Sequence, residues 1–174
     1  MRAARVMSRL RSLVPPRVLA AVLRTWYNGW CKKRRFQSSG ECLFGCSLGE
    51  DSVDHYMSCS RLHSYGLARL RLPQGRTFAD RGLSFMLLEA TASLSDAVLT
   101  RRALLVAAAY RLHCRHRRSE GFQEETVLSR ALLDQAVKEA ALGHRAAMKC
   151  YDIIWIQNTG SSSSSPDAVS LSLP

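Results

Sequence analysis

The sequence predicts a mainly α-helical protein, with a small Cys-Cys-His-Cys knuckle set between an N-terminal basic helix and a C-terminal helical bundle. Three observations predict it. Apolar residues recur at three- and four-residue steps over most of the chain, which is the period of a helix face. Four metal-ligating side chains, Cys42, Cys46, His55 and Cys59, stand in the order C-x3-C-x8-H-x3-C. The basic residues crowd the first forty positions, which contain no Asp or Glu. The expected divisions are a basic helical arm over 1–36, a knuckle module over 37–75, a helical bundle over 76–157 and a disordered Ser-rich tail over 158–174.

The first stretch, 3–13, has the pattern of a basic helix. It must end at Pro15-Pro16, because proline lacks an amide hydrogen and clashes inside a helix. Pro16 can open the next helix at its first position. Val18, Leu19, Val22, Leu23, Trp26 and Tyr27 then mark one apolar face, with Trp26 and Tyr27 expected in the core, and Asn28-Gly29 is the expected stop. Trp30 to Phe36 reads WCKKRRF, a run of four cations between two aromatic residues.

Cys42 and Cys46 bracket a tight turn in which Gly45 permits the backbone to aim two sulfurs at one point. Asp51 or Ser52 can cap the helix that follows. His55 and Cys59 are expected on one face of that helix, four residues apart, with Phe44 and Tyr56 packing beside the metal and the segment closing at Leu70 to Pro73. Three thiolates and an imidazole suit Zn²⁺ and complete its tetrahedron. Iron–sulfur clusters usually take four thiolates. A catalytic zinc needs an open position that four protein ligands would close, so the expected role of the metal is structural.

After residue 75, Thr77 to Asp80 has the outline of a capping box leading into a helix to about Glu89. Ser93 or Ser95 can cap a longer helix from about Asp96 to His116. Its middle, ALLVAAAY, is apolar nearly all round and belongs at the centre of a core. A last helix is expected from Glu124 to about Trp155, with a stripe through Val127, Leu128, Ala131, Leu132, Val137, Ala140, Ala141, Ala147, Met148, Tyr151 and Trp155. The tail from Thr159 lacks the apolar content to fold.

The 174 residues carry a formal charge of +11. That balance matches nucleic acid, an anionic membrane surface or an acidic protein. The longest apolar run, Ala103 to Tyr110, is far short of the 18 or so residues of a membrane span. The six cysteines carry no secretory signal before them, and a reducing compartment is expected. Nucleus or cytoplasm fits. The Arg-rich, acid-free N-terminus leaves a mitochondrial presequence as the alternative. No Ser, His and Asp are ordered into a triad, no Gly-rich phosphate loop is present and no Asp-Asp pair suggests a polymerase centre, so no enzymatic activity is expected. His113, Cys114 and His116 are close in sequence, but position 114 points away from the other two on a helix, and the plain reading is a basic helix end.

Read together, Trp26 to Cys31, Arg34-Arg35-Phe36, the Cys42–Cys46 turn, Asp51-Ser52-x-Asp54-His55-Tyr56 and Cys59 form a pattern with a known parallel. Residues 10–75 resemble the region downstream of the polymerase domain in non-LTR retrotransposon reverse transcriptases of the protist and algal type. The resemblance implies that Cys42, Cys46, His55 and Cys59 hold zinc and that their basic surroundings touch RNA or DNA. It carries no polymerase or endonuclease activity to this chain, and it implies a fragment or remnant of such an element. The residues expected on nucleic acid are Lys32, Lys33, Arg34 and Arg35, on phosphates, and Trp30 and Phe36, stacked on unpaired bases. The rival expectations are a zinc-stapled helical scaffold for an acidic partner and a mitochondrial helical protein.

Overall fold

The computed structural model describes residues 2–30, 41–46, 52–74, 78–87, 94–118 and 129–159. Among them are eight helices: α1 (Arg2–Leu13), α2 (Pro16–Trp26), α3 (Val53–Tyr56), α4 (Ser60–Leu70), α5 (Phe78–Phe85), α6 (Asp96–Arg118), α7 (Arg130–Ala141) and α8 (Arg145–Thr159). The expected disordered tail beyond residue 159 lies outside the described residues, as does Phe36 with the four cations before it.

Helix α6 is the axis of the molecule, and α1, α2, α4, α5, α7 and α8 all pack on it. Every residue from Arg102 to Ala109 is buried. Four of them are alanines, which lets neighbouring helices approach from several sides at once. Ser95 starts α6 as expected, its hydroxyl accepting from the Val98 amide at 3.3 Å. Thus the apolar-all-round stretch is central, as its composition requires.

The first thirty residues are not an arm. Val6, Leu10 and Val14 on one face, then Val18, Ala21 and Val22, are buried in the same core cluster as α6, α7 and α8. Pro15 breaks the chain with ψ 156° and Pro16 opens α2. Polar ties fix the pair in place. Arg9 donates to Asp96 at 2.6 Å and to the Leu94 carbonyl at 2.8 Å, at the start of α6. Arg17 donates to the carbonyls of Glu139 (3.0 Å), Ala140 (3.2 Å) and Leu142, the orphan acceptors at the end of α7. Asn28, with φ 53°, stops α2 in the left-handed region.

Two sequence expectations are corrected here. The expected single helix to Trp155 is two, α7 and α8, separated at Leu142-Gly143-His144. Gly143 takes φ +77°, a conformation that ends helices and that glycine adopts without a Cβ penalty. The buried face of α7 is Leu133, Ala136, Val137, Ala140 and Ala141, while Ala131 and Leu132 are exposed. Within α7 the buried face runs one position later than the expected stripe at its first turn, through Leu133 rather than Leu132. Tyr27, expected in the core, is 82% exposed. Its neighbour Trp26 is half-buried and donates from Nε1 to the Met86 carbonyl at 2.6 Å.

Candidate metal centre

The Cys42–Cys46 turn is closed by the Gly45 amide donating to the Cys42 carbonyl at 3.0 Å, with Gly45 at φ 72°. A side chain at that φ would be strained, so glycine is required for the two sulfurs to converge. Ser52, in extended backbone, caps α3 by accepting from the His55 amide at 3.1 Å, which fixes the start of the one-turn helix carrying the imidazole.

His55 and Cys59 do not share a helix, contrary to expectation. Helix α3 ends at Tyr56, the chain turns through Met57 and Ser58, and Cys59 is the N-cap of α4. The turn is what assembles the site. It sends the Cys59 sulfur to Cys42, 3.7 Å away, while His55 Nε2 meets the Cys46 sulfur at 3.0 Å. The four ligand atoms all lie within 4.8 Å of one another.

That geometry fits a tetrahedral ion. With zinc–sulfur bonds of about 2.3 Å, two sulfurs on a tetrahedron stand about 3.8 Å apart; Cys42 and Cys59 are at 3.7 Å. The imidazole–Cys46 pair would open by about half an ångström on the same reckoning. Three of the ligands are buried, Cys42, Cys46 and Cys59, and His55 is half-buried. Cys42, Cys46 and Cys59 are free thiols rather than disulfide partners. The Cys42 thiol is pulled down to about 5, first by the hydrogen bond from Cys59 and against the effect of burial. Cys59 is pushed up, first by that same contact and then by burial. One proton shared between two sulfurs leaves a thiolate facing the cluster, which is the form that binds metal. These residues would hold a metal ion in a closed site, and its chemistry there is to cross-link α3, α4 and the Cys42–Cys46 turn.

An aromatic stack seats the knuckle on the bundle. Phe44 meets Tyr56 edge-on with centroids 5.2 Å apart, and Tyr56 lies 5.3 Å from Trp30. Trp30 in turn contacts Tyr110 (5.6 Å) and His113 (5.1 Å) on α6. Phe44 and Tyr56 therefore lie beside the site as the sequence suggests. Trp30 does not behave as expected. It is 2% exposed and its indole nitrogen donates to the Thr25 hydroxyl at 2.9 Å, so its ring cannot stack on a base. Ring contacts with Tyr56, Tyr110 and His113 outweigh the influence of the cations that follow it in sequence. Lys32, Lys33, Arg34, Arg35 and Phe36, also expected on nucleic acid, lie outside the described residues.

His113 is buried in that stack, with Cys114 also buried next to it. Among the described residues, the cluster of Cys42, Cys46, His55 and Cys59 is the one group of three or more His, Cys, Asp or Glu placed to hold a metal. Tyr110 and His113 are the site's footing on α6, and no local signal marks them, because their partners are some eighty residues away in sequence. No helix among the described residues is long and apolar enough to cross a membrane. Compared with protein-family models, with curated proteins and with solved structures, the chain matches none.

Proposed function

We propose that this chain is a non-catalytic, zinc-dependent nucleic-acid-binding module. The observation that carries the proposal is the four-donor cluster, with its Cys42–Cys59 pair at tetrahedral sulfur spacing, in a chain of charge +11. A structural metal of this kind builds a fold rather than a reaction. The cationic surplus supplies affinity for phosphates without sequence information and a steep loss of binding with salt. The resemblance of residues 10–75 to the post-polymerase region of non-LTR retrotransposon reverse transcriptases supports the same reading, with RNA or DNA as the partner and the nucleus or cytoplasm as the place.

The scaffold reading has one observation in its favour: α8 exposes Ile153 and Ile156, the second at 70%. Binding to an apolar face survives high salt, whereas binding to phosphates does not. The presequence reading fares worse, because cleavage near residue 30 would strip Val6, Leu10, Val18 and Val22 from the core.

The test is anisotropy of a labelled single-stranded RNA with zinc-loaded protein, and with all four of Lys32, Lys33, Arg34 and Arg35 changed to Ala. The expected result is binding that weakens steeply between about 50 and 200 mM salt, and that the quadruple change weakens further by at least tenfold. A zinc-loaded, folded protein that ignores RNA at low salt would sink the proposal. Equal binding by the quadruple variant would remove those four cations from it.

A further inference from the structure

Helices α2 and α6 flank a groove of about 450 Å³ in which four arginines stand among mainly apolar residues. Arg17 and Arg24 line it from α2, and Arg111 and Arg115 from α6. Its floor includes Ala21, Ala107 and Ala140, side chains too short to fill the space between the helices. Among the described residues, no acidic one lines it. The nearest carboxylate paired with the rim is Glu139, which Arg111 approaches at 3.0 Å and Arg115 at 3.4 Å. That one carboxylate is shared between two guanidinium groups. Arg24 reaches across the groove to donate to the Tyr110 hydroxyl at 2.9 Å, which holds its guanidinium over the opening.

Tyr27, the C-cap of α2, lies outside the groove's lining, one turn beyond Arg24. It follows Arg24 by three residues and continues α2 with near-helical backbone (φ −87°, ψ 13°), so the two side chains lie on one side of the helix. At 82% exposure its ring contributes little to the core. A groove carrying arginines with an exposed aromatic ring one helical turn away suits single-stranded nucleic acid. Cations track the phosphates, and a base stacks on the ring whatever its identity.

We infer that the α2–α6 groove binds the phosphodiester backbone of single-stranded nucleic acid, with Arg24, Arg111 and Arg115 on phosphates and Tyr27 as the stacking platform. Tyr27 thus takes the role that burial denies to Trp30. A duplex is too broad to enter a space between two packed helices, whereas a single strand can follow it with bases turned outward. The inference deepens the proposed function and rests on it.

The experiment uses the full-length zinc-loaded chain and a fluorescein-labelled oligouridylate of about 20 nucleotides, with anisotropy read across a salt series. The variants are Arg24→Ala with Arg115→Ala, Tyr27→Ala and Tyr27→Trp; Arg111 is kept so that Glu139 retains a partner. Helix content and zinc stoichiometry are measured on each. Unchanged fold with at least tenfold weaker binding for the double variant is expected. Its salt slope should be smaller by about 1.4, two single-strand phosphate contacts. Tyr27→Ala should bind about fivefold or more weakly, and Tyr27→Trp within about twofold of the native chain.

Native binding that the two arginine changes and Tyr27→Ala leave intact would overturn the groove and spare the proposed function. A native chain that does not bind the oligonucleotide at all would overturn both. Displacement of the RNA by oligoglutamate at equal charge concentration, with no effect of Tyr27→Ala, would also overturn the inference and make the groove a surface for an acidic protein.

Discussion

The knuckle and the bundle are held together by different physics, and the difference fixes where each is vulnerable. Around α6 the chain buries Ala103 through Ala109 against α2 and α7, and stability is spread over many close contacts, none of them large. The knuckle is built on a four-residue helix, one tight turn and the start of α4. Its own apolar contribution is a few rings, Phe44 and Tyr56 foremost. So small a unit depends on its cross-link. One half should therefore respond to single insults gradually, and the other in one step.

Removing the metal is the strongest way to break that contrast. Zinc binding contributes on the order of 10 kcal/mol to folding a knuckle of this type. Chelation, or His55→Ala, should release the ion and collapse the near-ultraviolet dichroism that reports packed aromatic rings. Far-ultraviolet helicity should fall only slightly, since α1, α2, α6, α7 and α8 do not touch the ion. Native mass spectrometry should find one zinc per chain before chelation and none after. A chain that unfolds completely on chelation would show that the bundle leans on the metal after all.

Trp30 is where the two halves meet, and changing it sharpens the comparison. Its ring contacts Tyr56, Tyr110 and His113, and Tyr56 also meets His113 edge-on with centroids 6.0 Å apart, so the knuckle rests on α6 through both rings. Trp30→Ala should cost about 3–5 kcal/mol in denaturant unfolding, the range for a buried aromatic side chain. Trp30→Phe keeps part of the ring contact but loses the hydrogen bond to Thr25, about 1 kcal/mol, and leaves a small cavity, so its cost should lie between that figure and the cost of Trp30→Ala. With zinc present, the Ala variant should also expose the amides of α3 to hydrogen exchange. Full protection of α3 in that variant would mean the metal alone fixes the knuckle and the stack is incidental.

What the sequence disclosed and what it hid divide along a physical line. The four ligands, the caps narrowed to Asp51 or Ser52 and to Ser93 or Ser95, the Pro15-Pro16 break and the central position of ALLVAAAY are all local chemistry. Each is a residue type whose own backbone or ligand preference states its place. The turn at Met57-Ser58 carries no proline or glycine, so nothing local announces that α3 and α4 are separate helices. Trp30 reads as a surface aromatic because Lys32 to Arg35 follow it, yet its burial is decided by Tyr110 and His113, far away in sequence. Tyr27 continues the apolar period of α2, but α2 ends at Trp26 and the chain turns at Asn28, so among the described residues the ring is left 82% exposed. The α2–α6 groove likewise exists only once Arg17 and Arg24 are brought opposite Arg111 and Arg115.

Gly143 gives the smallest and cleanest test, because it acts on the bundle alone. A lone glycine inside a helical pattern is tolerated, which is why α7 and α8 read as one element. In the structure it sits at φ +77°, with the His144 amide donating back to the Ala141 carbonyl at 3.3 Å. A Cβ placed there meets nothing within 4 Å. The cost of Gly143→Ala is therefore purely conformational, about 1 kcal/mol, and Gly143→Asn should cost less because asparagine enters the left-handed region more readily. For a chain of this size 1 kcal/mol lowers Tm by about 2–4 °C. If the two halves are separately stabilised, the drop is the same in zinc-loaded and chelated protein, since distant, unshared sites add. A drop seen only with zinc bound would mean that the α7–α8 turn and the metal site stabilise each other through α6, and the contrast between the two halves would fail.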